Sequence, residues 1–171
     1  MKMKTMFIIS AAMLGLGCSS SSGGASGGAS GEIDAAQAKQ TAAEVVPGTA
    51  AEPTKLDNGE EHRWVVGVRV ANGATVNVEI TRATGVVEEI FGEAGPFEYD
   101  LPAAASGLLT YAQAKTKALG QKTGAVEQWE VKPPENLFEF YVRDNNEHLW
   151  EIKLTADKGD VMSVIEKAKA D

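Results

Sequence analysis

The only two histidines of this 171-residue chain sit in similar tetrapeptides, Glu61-His62-Arg63-Trp64 and Glu147-His148-Leu149-Trp150. Imidazole and carboxylate are common zinc ligands, so metal binding is the first chemistry to weigh. Geometry argues against it. Adjacent side chains on a strand point to opposite faces, so neither tetrapeptide aims both groups at one ion. The adjacent acids Glu60-Glu61 and Glu88-Glu89 raise general acid–base chemistry. On a chain with 24 acidic against 16 basic residues, such pairs read as solvated surface charge. A CxxC pair, an HExxH helix and a P-loop are all missing from the sequence, and one cysteine cannot form a disulfide or a zinc cluster within the chain. No catalytic residue, metal ligand or cofactor site is assigned, which points to a protein that is not an enzyme.

The single cysteine, Cys18, suggests a different chemistry. Lys2 and Lys4 precede an apolar run over residues 6–16, then Gly17 and Cys18. Eleven residues make about 16 Å of helix against a hydrocarbon core of about 30 Å, so residues 1–17 read as a signal peptide and not as a spanning helix. The run Leu14-Gly15-Leu16-Gly17-Cys18 resembles the lipobox of bacterial lipoproteins, although Gly15 stands where an aliphatic residue is usual. That resemblance implies lipidation of Cys18 at the mature amino terminus. It also implies attachment to a bacterial membrane through the lipid anchor, in the cell envelope and facing outside the cytoplasm. Residues 18–31 form a Ser/Gly-rich tether that cannot bury apolar surface, with a reach of roughly 20 Å. Such a spacer argues against an ordinary cleaved signal with an incidental cysteine. Removing residues 1–17 takes away two lysines and no acids, leaving 14 basic and 24 acidic residues and a formal charge of −10. No basic run remains to bind nucleic acid.

The folded part is written in two similar halves. Asp34-Ala35-Ala36-Gln37-Ala38-Lys39 returns 76 residues later as Thr110-Tyr111-Ala112-Gln113-Ala114-Lys115. Each begins with a capping residue three places before a glutamine, a capping-box pattern, and continues with small apolar residues at helical spacing. Pro47-Gly48 stops the first helix, and the segment from Gly120 to Gly124 stops the second. After each helix the period changes to two. Trp64, Val66, Val68 and Val70 lead through Asn72-Gly73, where the dipeptide predicts a type I′ turn, into Val76, Val78 and Ile80. Phe138, Phe140 and Val142 lead through Asp144-Asn145-Asn146 into Trp150, Ile152 and Leu154. A strand is expected before each hairpin, over residues 50–56 and 125–131. Another should follow the turns at Gly85 and Gly159. Proline donates no ladder hydrogen bond, so Pro53 predicts an edge strand. The fold class is therefore α+β, as two tandem repeats that each pack a helix on a four-stranded antiparallel β-sheet.

The runs Ala42-Ala43-Glu44-Val45-Val46-Pro47-Gly48 and Ile80-Thr81-Arg82-Ala83-Thr84-Gly85-Val86-Val87-Glu88-Glu89-Ile90 resemble the PepSY domain family. The resemblance implies one copy over residues 32–91 and a second over 109–171, joined by a linker at 92–108. The second copy departs from the pattern, having no Pro-Gly after its helix and Lys158 in place of Thr84. What the family implies is a non-catalytic module that binds or inhibits a secreted or envelope peptidase, with no catalytic residue to carry over. A structural or assembly-related envelope lipoprotein is the alternative, and an enzyme the third class.

An inhibitor of that kind can present an extended edge or a loop to a substrate cleft. The candidate partner-binding residues are Pro53 on the first edge and Lys132, Pro133, Pro134, Glu135 and Asn136 in the loop before the second hairpin. Among the aromatics, Trp64, Trp150, Phe138 and Phe140 are expected beneath the helices. Leu137 and Tyr141 lie on the other face, and Trp129 could lie on either. If these three share a surface they form an aromatic patch; the reading adopted for that second face is instead packing of one repeat against the other.

Overall fold

The computed structural model describes residues 31–59, 61–93 and 107–169. Its first helix, α1, spans Ala35–Val45. Then come β1 (Thr49–Ala50), β2 (Thr54–Asn58), β3 (Glu61–Arg69), β4 (Thr75–Thr81) and β5 (Val87–Glu93). The second helix, α2 (Tyr111–Leu119), precedes β6 (Gly124–Lys132), β7 (Leu137–Asp144), β8 (Leu149–Thr155) and β9 (Val161–Lys167). Of the expected linker 92–108, Gly92 and Glu93 belong to β5, and residues 94–106 lie outside the described residues.

Both helices start as their sequences dictate. Asp34 accepts from the Gln37 amide at 2.9 Å while the Gln37 side chain accepts from the Asp34 amide at 2.9 Å. Thr110 and Gln113 make the same reciprocal pair at 3.3 and 2.9 Å. The faces turned to the sheet are mostly alanine, with Tyr111 beside them at the start of α2: Ala38, Ala42, Ala114 and Ala118 are all fully buried. Side chains this small let the helix backbone approach the strands closely, and the larger strand residues fill the space between. The connections after the helices are equally tight. A Cβ on Gly48 would stand 2.5 Å from the Arg69 carbonyl oxygen, and one on Gly124 only 2.1 Å from that of Arg143. Both positions require glycine because another strand's backbone passes there.

The sheet departs from the expected pair of four-stranded units. Among the described residues nine strands form one antiparallel sheet, ordered β1-β3-β4-β5-β6-β7-β8-β9, with β2 also on β3. The two halves are joined by β5 and β6, which pair from Ile90 opposite Val131 to Glu93 opposite Gln128. Face-to-face packing of the repeats is thereby overturned. Edge pairing satisfies the backbone groups of two would-be edge strands at once, a gain that stacking two faces does not provide.

The register makes the two faces explicit. One row runs Val66, Val78, Ile90, Val131, Phe138, Leu154, directly opposite one another from β3 to β8. These residues are buried together with the helix alanines in one hydrophobic cluster, so α1 and α2 cover the same face. Trp129 lies in this cluster, fully buried, with its ring centroid 4.6 Å from that of Tyr111. Leu137 and Tyr141 are buried on the opposite face, so the three residues share no surface. Trp150 is only half-buried, contrary to expectation. Its indole Nε1 donates to Asp144 at 2.9 Å, and the Lys122 ammonium lies 3.3 Å from the ring centroid. A polar partner at one end and a cation over the face hold it at the sheet margin.

Both hairpins use a three-residue loop. Gly73 N–H donates to the Val70 carbonyl at 2.9 Å and has a φ of +89°. Asn72 is not left-handed, so the expected type I′ turn is replaced by a type I turn followed by a left-handed residue. The Asn72 side chain explains the choice, since it accepts from the Ala74 amide at 2.9 Å, an Asx turn. In the second hairpin Glu147 N–H donates to Asp144 O at 3.1 Å, and Glu147 takes the left-handed conformation at φ 65° without being glycine.

Candidate functional site

The first sheet edge carries Pro53. It stands in the break between β1 and β2, just after the Ala51 amide donates to Gly67 O at 2.8 Å. Proline therefore interrupts the edge, as its missing N–H requires. All of β2 is exposed, and its surroundings are polar. Asp57 accepts from His62 Nδ1 at 2.7 Å and from Arg82 at 2.9 Å, and Arg82 also reaches Glu32 at 2.8 Å. The hydrogen bond from His62 holds the Asp57 carboxyl below the usual carboxylate range. Lys39 is paired to Glu52 beside the proline. Charge and proline together protect this edge against further strand pairing.

The second candidate, residues 132–136, divides by role. Lys132 is paired to Glu130 at 2.7 Å on the sheet face away from the helices. Pro133–Glu135 form a 3-10 turn, and Asn136 is left-handed at φ 53°. Asn136 is a structural clasp: its amide donates to Asp157 at 3.1 Å, its carbonyl side-chain oxygen accepts the Asp157 amide at 2.9 Å, and its backbone oxygen accepts from Ala156. That clasp holds the Asp157 carboxyl below its usual range. Pro134 and Glu135 are exposed. Pro133 and Pro134 form one wall of a groove of about 500 Å³, opposite Val45 at the end of α1 and Val86 in the β4–β5 turn. The structure thus brings the prolines beside the first half of the chain and leaves Pro53 at a separate edge.

The other sheet edge carries the largest apolar exposure, which residue types alone did not single out. Among the described residues β9 pairs only with β8. Val161, Met162 and Ile165 are 46, 58 and 49% exposed, and all three lie on β9. No proline interrupts this strand, and its charged residues are confined to the end, at Glu166 and Lys167. The run Val161-Met162-Ser163-Val164-Ile165 was the available signal, a β-rich segment with no polar alternation.

The polar candidates stay apart. His62 is held by Asp57, whereas His148, in the β7–β8 turn, has its Nδ1 3.6 Å from Asp144. Among the described residues no group of three acidic, histidine or cysteine side chains is placed to hold a metal ion. Glu88 accepts from the Thr81 hydroxyl at 2.5 Å, while Glu89 points to the helix-free face. Cys18 and Glu60 lie outside the described residues.

Against known proteins, residues 32–91 match the PepSY family, described as the peptidase propeptide and YPEB domain. Those are the bounds expected for the first copy, and the segment runs from just before α1 into β5. A crystal structure described as "a putative lipoprotein" from Clostridium difficile 630 aligns over 67% of this chain and 80% of its own, at 20% identity and a TM-score of 0.35. No protein with a curated description matches the chain. No helix among the described residues is long and apolar enough to cross a membrane.

Proposed function

We propose that the protein is a non-catalytic PepSY-type module of the bacterial cell envelope that binds, and can inhibit, a secreted or envelope peptidase. One observation carries the mode of binding: among the described residues β9 is an open, apolar, proline-free edge, while the opposite edge is interrupted and charged. Such an edge can accept an extended segment of a partner as a tenth strand, with main-chain hydrogen bonds for affinity and Met162 or Ile165 for side-chain contact. The match of residues 32–91 to a peptidase propeptide family supports a peptidase as the partner class. Pro133 and Pro134 are a secondary contact in this reading.

The reading includes a second PepSY-like copy over residues 109–171. Support comes from paired details: both helices carry a capping box, and Gly48 and Gly124 each lie against an arginine carbonyl. Register shifts at Glu79/Ile80 and Lys153/Leu154 recur at the 74-residue offset. Lipidation of Cys18, with residues 18–31 as tether, would hold the module at the membrane.

The test is titration of the full chain into a panel of envelope metallopeptidases and serine peptidases, with hydrolysis by the chain alone measured alongside. Tight binding or inhibition that Ile165→Lys weakens at least about tenfold, without loss of fold, is the expected result. Metal-dependent turnover lost in His62→Ala or His148→Ala would overturn the non-enzyme reading. Indifference of every peptidase, with an assembly partner recovered instead, would favour the scaffold class.

A further inference from the structure

The sheet contains its own example of how an edge of this kind is filled. The pairs of β8 with β9 are those of β4 with β5 moved on by 74 residues: Asn77 opposite Phe91 becomes Glu151 opposite Ile165, and Val78 opposite Ile90 becomes Ile152 opposite Val164. The register shift between Glu79 and Ile80 recurs between Lys153 and Leu154. Thus β9 stands where β5 stands in the first half. The outer edge of β5 is taken by β6, running antiparallel, with Val131 opposite Ile90, Glu130 opposite Phe91 and Trp129 opposite Gly92. The outer edge of β9 has no such strand among the described residues.

Carried over to β9, the β5–β6 register places three consecutive partner residues opposite Glu166, Ile165 and Val164, in that order along the incoming strand. Their types follow from how β9 differs from β5. Val164 is half-buried against the core that holds Ile90, so an apolar residue opposite it extends that row. Ile165 is 49% exposed on the helix-free face, and an apolar residue opposite it removes it from water. The largest difference is at Glu166. Gly92 leaves its place on the helix face without a side chain, and the residue opposite is Trp129, whose ring lies 4.6 Å from that of Tyr111. Glu166 puts an exposed carboxylate at that place, directly opposite Trp150, with no ion pair among the described residues. The adjacent Lys167 is on the other face, 2.9 Å from Glu151. Opposite charges facing each other across an antiparallel pair attract and like charges repel, so a cation is the residue that answers Glu166.

We propose that β9 selects a partner segment reading cation, apolar, apolar, which adds to the sheet as an antiparallel tenth strand with the cation facing Glu166 and the apolar residues facing Ile165 and Val164. This rests on the reading of β9 as the docking edge and supplies the chemistry of the strand that docks. A second copy of the chain does not fit the description. Its β6, the strand that fills the equivalent place, is already paired on both sides by β5 and β7. Its β1 and β2 are interrupted at Pro53 and flanked by charge pairs, and in its β9 no lysine or arginine precedes two apolar residues. The formal charge of −8 draws basic segments toward the chain from any side, whereas Glu166 fixes where the cation lies.

The probes are two synthetic peptides of the β6 sequence, Gly124–Lys132, one carrying Trp129→Arg with Glu130→Val and the other Trp129→Glu with Glu130→Val. Each is titrated into the full chain, with binding read by fluorescence anisotropy of the labelled peptide and the docking place by amide hydrogen exchange. The arginine peptide should bind about fivefold or more tightly than the glutamate peptide, with exchange slowed along β9. Glu166→Arg, at an exposed position, should reverse that order. Equal binding of the two peptides, an order unchanged by Glu166→Arg, no binding of the arginine peptide, or exchange slowed only at another surface would each overturn the assignment. Self-association of the chain that Ile165→Lys abolishes would give the edge to a second copy and overturn it too. The outcome is separable from the peptidase reading. Peptides that discriminate while no peptidase binds uphold the strand chemistry and remove that partner class; a peptidase released by Ile165→Lys yet indifferent to Glu166→Arg does the reverse.

Discussion

Replacing Trp129 with alanine tests how the second half of the sheet holds α2. The indole is fully buried, directly opposite Phe140 in the β6–β7 register and tilted 49° against Tyr111 at 4.6 Å. Burying an aromatic ring of about 200 Å² at about 25 cal/mol per Å² is worth about 5 kcal/mol as an upper figure. Tryptophan-to-alanine changes in cores cost about 3–5 kcal/mol, so about 4 kcal/mol is expected here. That is a large share of the 5–15 kcal/mol typical of a whole domain. Urea unfolding followed by far-UV circular dichroism measures it without relying on the indole being removed. Trp129→Phe keeps a ring against Tyr111 and should cost about 1–2 kcal/mol. A double-mutant cycle with Tyr111→Leu should return a coupling of about 0.5–1.5 kcal/mol. A loss below about 1 kcal/mol for Trp129→Ala, or additivity of the two changes, would refute the placement of this ring in the shared core.

Other substitutions probe the local rules. Asp34→Ala and Thr110→Ala should each cost about 1 kcal/mol in urea unfolding, because each removes half of a reciprocal cap. Glu147→Gly should stabilise by up to about 1 kcal/mol, since Glu147 holds a left-handed φ of 65° and its contact to Arg143 is made by the backbone oxygen; a lower urea midpoint would contradict the turn assignment. Gly124→Ala should cost at least about 2 kcal/mol, because the new Cβ would force β6 away from the Arg143 carbonyl oxygen 2.1 Å away. Cys18→Ser should release the chain from membranes or block its processing, read by fractionation and by mass spectrometry of the membrane-extracted protein.

The local grammar of the fold was legible in the sequence, and the reasons are short-range. A capping box is a contact between residues three apart, so Asp34 with Gln37 and Thr110 with Gln113 declare themselves. Alternation of period two put Val66, Val68 and Phe140 on the right face, because the pleat fixes it residue by residue. The joint between β5 and β6 was not legible, since its partners are 35 or more residues apart and nothing in either strand names the other. The type I′ expectation at Asn72-Gly73 failed for a local reason, the Asx contact to Ala74, that competes with the dipeptide preference.

The candidate surface shows the same division more sharply. Pro53 marked an edge correctly because proline acts on its own backbone, whatever the rest of the chain does. The β9 edge escaped notice because Val161, Met162 and Ile165 are the residue types of a core strand, and only the order of the sheet leaves them at its margin. The two edges are thus opposite in design. One is broken by Pro53 and flanked by the Lys39–Glu52 and Asp57–Arg82 pairs, which deter a tenth strand. The other offers a continuous apolar strand with its charges confined to its end. Solubility alone would protect both edges alike, since an open apolar edge invites aggregation. Protecting one and leaving the other open makes sense if β9 is held for a partner, and Met162→Lys or Ile165→Lys should then improve solubility at the expense of binding.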